Sequence, residues 1–310
     1  MERRPLLEEG SLNASDPPKD DEQVSCRFGL GLATVVLVLL HNGYFGGFTS
    51  PVVSTNCGDG DGGSEASGSA GGDPAPCPGC MNCELNLSVQ VISIFTSEVS
   101  LLTIPASLLG GGLTDYLGRK KTLILTSIGL VMGWLVIYAV PAPHAGEDMA
   151  PPGPGAALWP QVSTATAMML LGGRAIIAVS ACIQIIAGSV WISESCPAAI
   201  RGAAMTCISF GWNAGNVGIY ALGAELAWRD LSAGGALIGA VCVAMSCFHV
   251  ESPRWLAANV GMPAAEQALK TLRQGEDPRV ESTLAYFTFK RPLFLPRFEP
   301  TTGVCLGHLG

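Results

Sequence analysis

The sequence predicts an all-α membrane protein built on six transmembrane helices. Three observations carry that prediction. Only 14% of the 310 residues are charged while 48% are hydrophobic, and the mean hydropathy is +0.39; soluble domains carry about 25% charged residues. Six apolar runs each come near the roughly 20 residues that cross a bilayer as a helix. Lys and Arg are missing from the two long loops 51–86 and 141–161 and cluster in the connections between them, the asymmetry that orients membrane helices. A large soluble protein with buried helices has no reason to gather its charges into short clusters between runs of this length.

Taken in order, residues 1–27 mix both charges and carry many acids, a poor match to a cleavable signal. They read as a disordered cytoplasmic N-terminus, with the first span as an uncleaved anchor. In ERRPLLEE, Glu2 precedes Leu6 by four residues and Leu7 by five, the spacing of an acidic dileucine sorting signal; the alternative is ordinary tail sequence. The first span, 28–48 (FGLGLATVVLVLLHNGYFGGF), has no charge. Residues 51–86 are rich in Gly, Ser, Asp and Pro and contain no Lys or Arg, so they read as a flexible outer loop. Cys57, Cys77, Cys80 and Cys83 fall together in this loop. CPGCMNC invites a zinc reading, but an oxidising outer compartment favours disulfides, with the pairing open. No metal or other cofactor is expected.

The second span, 87–113, is apolar apart from Glu98 and a few hydroxyls. An ionisable group inside a span is costly and is functional by default. A connection of a few residues leads to the third span, 122–140. It places Asp115 near the end of one helix and Arg119, Lys120 and Lys121 near the start of the next. Helix dipoles prefer the reverse. Either these charges only set orientation, or they find partners at other helix ends. Residues 141–161 again lack Lys and Arg and read as the second outer loop. The fourth span, 165–192, is apolar apart from Arg174 and Gln184; the fifth is 203–222 and the sixth 231–250. Many of the 39 glycines lie inside spans, where they let membrane helices approach closely. Arg229 stands alone as a cation in an outer loop. Residues 251–290 read as a cytoplasmic helical segment and 291–310, broken by proline, as an irregular tail. Both termini are then cytoplasmic. Partners for the Asp115–Lys121 cluster are at hand: Glu194 and Arg201 close the fourth span in SESCPAAIRG, and Glu251 and Arg254 close the sixth in ESPRWL.

These motifs carry a resemblance. GGGLTDYLGRKK resembles the connection between the second and third helices of major facilitator transporters. WISESCPAAIRG and VESPRWL are similar to the ends of the fourth and sixth helices in the sugar porter family, MLLGGR to the start of its fourth helix, GGFTSP to the end of the first helix in animal hexose facilitators, and AWR to the start of the sixth. The resemblance covers about residues 24–284. It implies the N-terminal six-helix half of a major facilitator fold and transport of a hexose or polyol by alternating access. It also implies that Asp115, Arg119, Lys120, Glu194, Arg201, Glu251 and Arg254 form a cytoplasmic charge network latching the inner helix ends. Family members have twelve helices, so this chain reads as a truncated half whose partners are a sugar or polyol, the bilayer, and a second half or a full-length carrier. The compartment is the plasma membrane or an endosomal or lysosomal membrane. Other readings are a carrier for a different small organic solute, or a non-transporting half that regulates a relative. No nucleophile–base set, phosphate loop or metal cluster in the spans points to an enzyme, and no basic patch with aromatics points to nucleic acid.

Substrate residues depart from the family pattern. Sugar porters often place Gln-Leu in helix five, where this chain has Ser209 and Phe210. Trp212, Asn213, Asn216 and Gln184 are further lining candidates, the asparagines alternatively serving as hydrogen-bonding glue between helices. Proton-driven members place an Asp in helix one facing the Arg of helix four. Thr49 takes that position beside Arg174, which favours a facilitator. Glu98 is left either to neutralise Arg174 or to carry a proton.

Overall fold

The computed structural model describes residues 25–53, 81–85, 87, 89–141, 163–197 and 200–273. The Ser25 hydroxyl accepts from the Arg27 N–H at 3.1 Å and so caps α1, Cys26–Gly47. A short α2, Thr49–Val52, follows, and α3, Met81–Glu84, precedes α4, Val89–Leu117. Next come α5, Arg119–Tyr138, α6, Thr164–Ser195, α7, Arg201–Gly223, and α8, Trp228–Cys247. Two shorter helices close the described part: α9, Pro253–Asn259, and α10, Met262–Leu272. The dileucine residues Glu2, Leu6 and Leu7, and the loop cysteines Cys57, Cys77 and Cys80, lie outside the described residues; Cys83 falls in α3.

Among the described residues, five helices are long and apolar enough to cross a membrane: α1 with α2, α4, α5, α6 and α8. The sixth long helix, α7, has 23 residues but is more polar, because Thr206, Ser209, Asn213 and Asn216 lie along it. Its place in the bundle comes from packing. α7 runs along α1, α4 runs along α6, and α5 packs on both α6 and α8. Exchanging the first three long helices for the second three maps the α1–α7 pair onto α6–α4 and returns α5–α8 to itself. That is the nested three-plus-three repeat of a major facilitator half.

The α1–α7 contact depends on a missing side chain. A Cβ built on Gly215 lands on the Leu40 carbonyl of α1 and 2.7 Å from the Tyr44 nitrogen. Aromatic packing and buried polar ties hold the middle of the bundle. Trp134 of α5 meets Phe48 edge-on at 4.9 Å and Tyr44 at 5.8 Å, and its indole N–H donates to His41 Nε2 at 2.9 Å. Asn42 donates to Gln184 at 3.2 Å, and Gln184 donates to Ser127 at 2.7 Å, tying α1, α6 and α5. Buried polar groups need such partners where water is absent. Outside, Leu101, Leu108, Phe210, Val217 and Leu237 are exposed, as expected of a surface that meets apolar surroundings.

Candidate functional site

A charge network forms at the end of the bundle where α4 meets α5, and it is built around a turn of one residue. Gly118 alone separates these helices, with φ of +92°, a conformation other residues adopt only under strain. The turn is tight enough to bury Arg119 at the start of α5. Arg119 Nη2 donates to Glu194 Oε1 at 2.9 Å, its Nε lies 2.9 Å from Glu194 Oε2, and Nη1 donates to the Thr114 carbonyl at 3.3 Å. Asp115, one turn earlier and exposed, lies 3.1 Å from Nη2. Arg119 and Glu194 have side chains only 8% and 7% exposed, so this pair is the buried centre of the network. Ser252 donates to Glu194 Oε2 at 2.6 Å, bringing in the segment after α8. Arg254 reaches Glu194 at 4.0 Å from an exposed position.

Glu251 resolves the dipole conflict seen in the sequence. Its carboxylate accepts from the backbone N–H of Arg119 at 2.8 Å, of Lys120 at 3.2 Å and of Ser252 at 2.9 Å. It caps α5 from another part of the chain, supplying the anion that a helix start favours. A Cβ on Gly118 would approach Glu251 Oε2 at 2.5 Å, so glycine is needed there twice over. Trp255 of α9 donates to the Asp115 carbonyl at 2.7 Å at the end of α4. Two residues enter differently from the sequence expectation: Lys120 meets Glu251 through its backbone, and Arg201 donates to the Cys196 carbonyl at 3.2 Å within its own turn. Removing the cap should separate the two acids. Glu251→Ala strands backbone donors at a cost of about 1–3 kcal/mol. Asp115→Ala loses one exposed ion pair, worth less than about 1 kcal/mol. Thermal unfolding in detergent checks this: the Glu251 variant is expected to melt several degrees lower and the Asp115 variant near the unaltered chain.

The opposite end of α5 is held in the same manner. Arg229, the lone outer-loop cation of the sequence, donates to the Val140 carbonyl at 2.9 Å and the Tyr138 carbonyl at 3.4 Å. It thereby caps the C-terminus of α5 with positive charge. Glu84 of α3 lies 3.3 Å from Arg229 and accepts from Trp228 Nε1 at 2.7 Å. Arg229 in the first turn of α8 and Glu251 beyond its end thus satisfy the two ends of α5.

The remaining candidates lie along the helices. Arg174 is buried, with Glu98 Oε1 3.8 Å away and its guanidinium over the rings of Phe95 at 4.3 Å and Phe45 at 5.0 Å. The α1 residue over the cation is therefore Phe45, one turn before Thr49. Gln184 is fully enclosed and spends its amide on Asn42 and Ser127, which places it in the interior instead of on an accessible wall. Ser209, Trp212 and Asn213 are exposed and Asn216 is half-buried. Asn213 and Asn216 donate to the carbonyls of Ser209 and Trp212 at 2.7 and 3.0 Å, one turn back on their own helix. Motif reasoning did not single out Ser252, Trp255, His41, Asn42, Ser127 or Trp134. The signal available for the middle group was polarity inside otherwise apolar spans.

Comparison with known proteins agrees with this geometry. Residues 31–290 match the family described as Sugar (and other) transporter. The chain is 31% identical over 215 residues to Sugar transporter ERD6-like 15 of Arabidopsis thaliana, covering 69% of this chain and 40% of that protein. It is 25% identical over 253 residues to Facilitated trehalose transporter Tret1 of Bombyx mori, covering 77% and 45%. It is 28% identical over 193 residues to Solute carrier family 2, facilitated glucose transporter member 8 of Mus musculus, covering 62% and 35%. The chain thus spans between 35% and 45% of the length of these relatives. In fold it is similar to the xylose transporter XylE from E. coli in a partially occluded inward-open conformation, with a TM-score of 0.61 at 15% identity, covering 85% of this chain and 59% of that one. It is similar also to the proton:xylose symporter XylE bound to 6-bromo-6-deoxy-D-glucose, with a TM-score of 0.63 at 16% identity, covering 85% and 53%. With a family match over residues 31–290, the chain belongs to the family described as Sugar (and other) transporter.

Proposed function

We propose that this chain is the first six-helix half of a carrier that moves a hexose or polyol across a membrane by facilitated diffusion, with the Arg119 end of the bundle facing the cytoplasm. The observation that supports this most is the buried Arg119–Glu194 pair and its ties to Glu251 and Ser252. Such a set joins the ends of α4, α5 and α6 to the segment after α8, and so biases how those ends part in a rocking cycle. Exposed pairs alone contribute about 0–1 kcal/mol each; a buried centre lets the network act as a latch. Sugar as the solute class rests on relatives whose names give glucose and trehalose. Ser209, Trp212, Asn213, Asn216 and Thr49 are proposed to face the solute path, with Arg174 and Glu98 beside it. The facilitator reading rests on the end of the first span, where neither Phe45, which lies over the Arg174 cation, nor Thr49 one turn on has a carboxylate to offer it.

Uptake of radiolabelled glucose, fructose and inositol tests the substrate class. Saturable uptake of at least one, blocked by its unlabelled form, is the expected result. Uptake of none by protein that has reached the membrane would favour a carrier for another organic solute or a regulatory half-carrier. Uptake by this chain alone would eliminate the last reading.

A further inference from the structure

The Arg119 end also holds a titratable side chain that the charge network does not use. The sequence places His249 inside the sixth span, 231–250, but α8 ends at Cys247, so His249 stands two residues past the membrane-crossing helix and two before Glu251. It is 2% exposed. Trp191 of α6 meets its ring edge-on, centroids 4.2 Å apart, and donates its indole N–H to the Val250 carbonyl at 2.9 Å. His249 Nδ1 lies 3.1 Å from that same carbonyl. Its Nε2 is buried without a hydrogen-bond partner. On the α1 side the backbone of Gly31 approaches the ring, and Phe28 stacks on Trp191 at 6.0 Å.

The charged neighbours do not favour an imidazolium here. From α5, the Lys120 cation opposes it. From α6, Glu194 is committed to Arg119 and Ser252; beyond His249, Glu251 is committed to three backbone N–H groups. Charging the ring in place would bury a cation with no carboxylate turned toward it, which is costly. Burial pushes the His249 pKa from 6.5 down to about 4; the Val250 carbonyl opposes that shift, Lys120 adds to it, and the Gly31 backbone opposes it more weakly.

We propose that His249 is an acid-sensitive wedge in the latch: its neutral ring fits between α1, α5 and α6 only while Val250 and Glu251 hold their places, and its protonation draws Glu251 off the start of α5. The inference rests on the carrier reading for its physiological sense, which is that cytoplasmic acidification favours the conformation with parted inner ends. The sign follows from linkage. A ring held neutral in the latched state and free to titrate near 6.5 in the parted state stabilises the latched state fully above about pH 6.5. That contribution is lost as pH falls toward about 4. Between pH 7.5 and 5.5 the equilibrium should move about tenfold toward the parted state.

The test uses the whole chain in lipid nanodiscs and needs no transport. Imidazole NMR of the ε1-13C-labelled protein, with the His249 signal assigned by His249→Gln, should show His249 titrating well below 6.5. In Glu251→Ala its midpoint should move up toward 6.5. Hydrogen exchange at the Arg119 and Lys120 amides, corrected for intrinsic rate, should rise about tenfold from pH 7.5 to 5.5 in the unaltered chain and stay flat in His249→Gln. A midpoint near 6.5 in the unaltered chain, an unchanged midpoint in Glu251→Ala, or pH-dependent exchange that survives His249→Gln would each overturn the proposal. If His249→Gln does not fold, the shift between the unaltered and Glu251→Ala spectra decides alone. Failure to transport any sugar would leave both readouts standing, so the two readings fail separately.

Discussion

Arg119→Ala is expected to cost about 3–5 kcal/mol, the range for removing one side of a buried ion pair. The size of the effect comes from what stays behind. Glu194, with its side chain 7% exposed, would keep one hydroxyl donor, Ser252, and a distant Arg254. The Thr114 carbonyl and Asp115 would lose their cation as well. Thermal unfolding in detergent reads the loss. In a transporting form, uptake should fall while the amount in the membrane is unchanged. Adding Glu194→Gln to Arg119→Ala removes the stranded charge and should recover part of the stability, the coupling expected of contacting residues. A single variant that melts and transports like the unaltered protein would show that the pair holds nothing together.

Gly215→Val is expected to be comparably severe, for a reason of packing. The obstacle at Gly215 is the α1 backbone at Leu40 and Tyr44, which cannot rotate aside as a side chain can. α1 and α7 must separate, so the loss should exceed the about 1–3 kcal/mol usual for overpacking. Gly218 lies on the same helix with nothing within 4 Å of a built Cβ, and Gly218→Val should be close to neutral. The yield of monodisperse protein after detergent extraction compares the two. Equal yields would contradict the close α1–α7 approach.

How far the sequence reached depended on the range of the interaction. Apolar runs located the long helices because the bilayer demands internal hydrogen bonding and about 20 apolar residues. They placed the start of α5 at residue 122, whereas the helix begins at Arg119. Three polar residues in a first turn read as loop until Glu251, far along the chain, is seen to cap them. The same distance effect shaped the network. Motifs put Asp115, Arg119, Glu194 and Glu251 at one end of the bundle, but could not show that Arg201 bonds within its own turn or that Lys120 engages through its backbone. Gln184 stood out as a polar residue in an apolar span, yet polarity alone does not separate a solute wall from an interior tie. Its partners Asn42 and Ser127 come from helices that only tertiary packing brings together. Phe45 over Arg174 was hidden likewise, because one helical turn decides whether it or Thr49 meets the cation.

The measurement that bears most directly on the account is the equilibrium level of a labelled hexose or polyol in proteoliposomes carrying the product of the complete reading frame that contains these 310 residues, at pH 5.5 and 7.5, with and without a protonophore. Neither Phe45, over the Arg174 cation, nor Thr49 one turn on offers it an acid, and an arginine does not release its proton. Saturable entry is therefore expected to stop at the outside concentration and to reach the same level when the proton gradient is collapsed. Accumulation above the outside concentration that the protonophore abolishes would contradict it, and loss of that accumulation in Glu98→Gln with exchange spared would make Glu98 the coupling group.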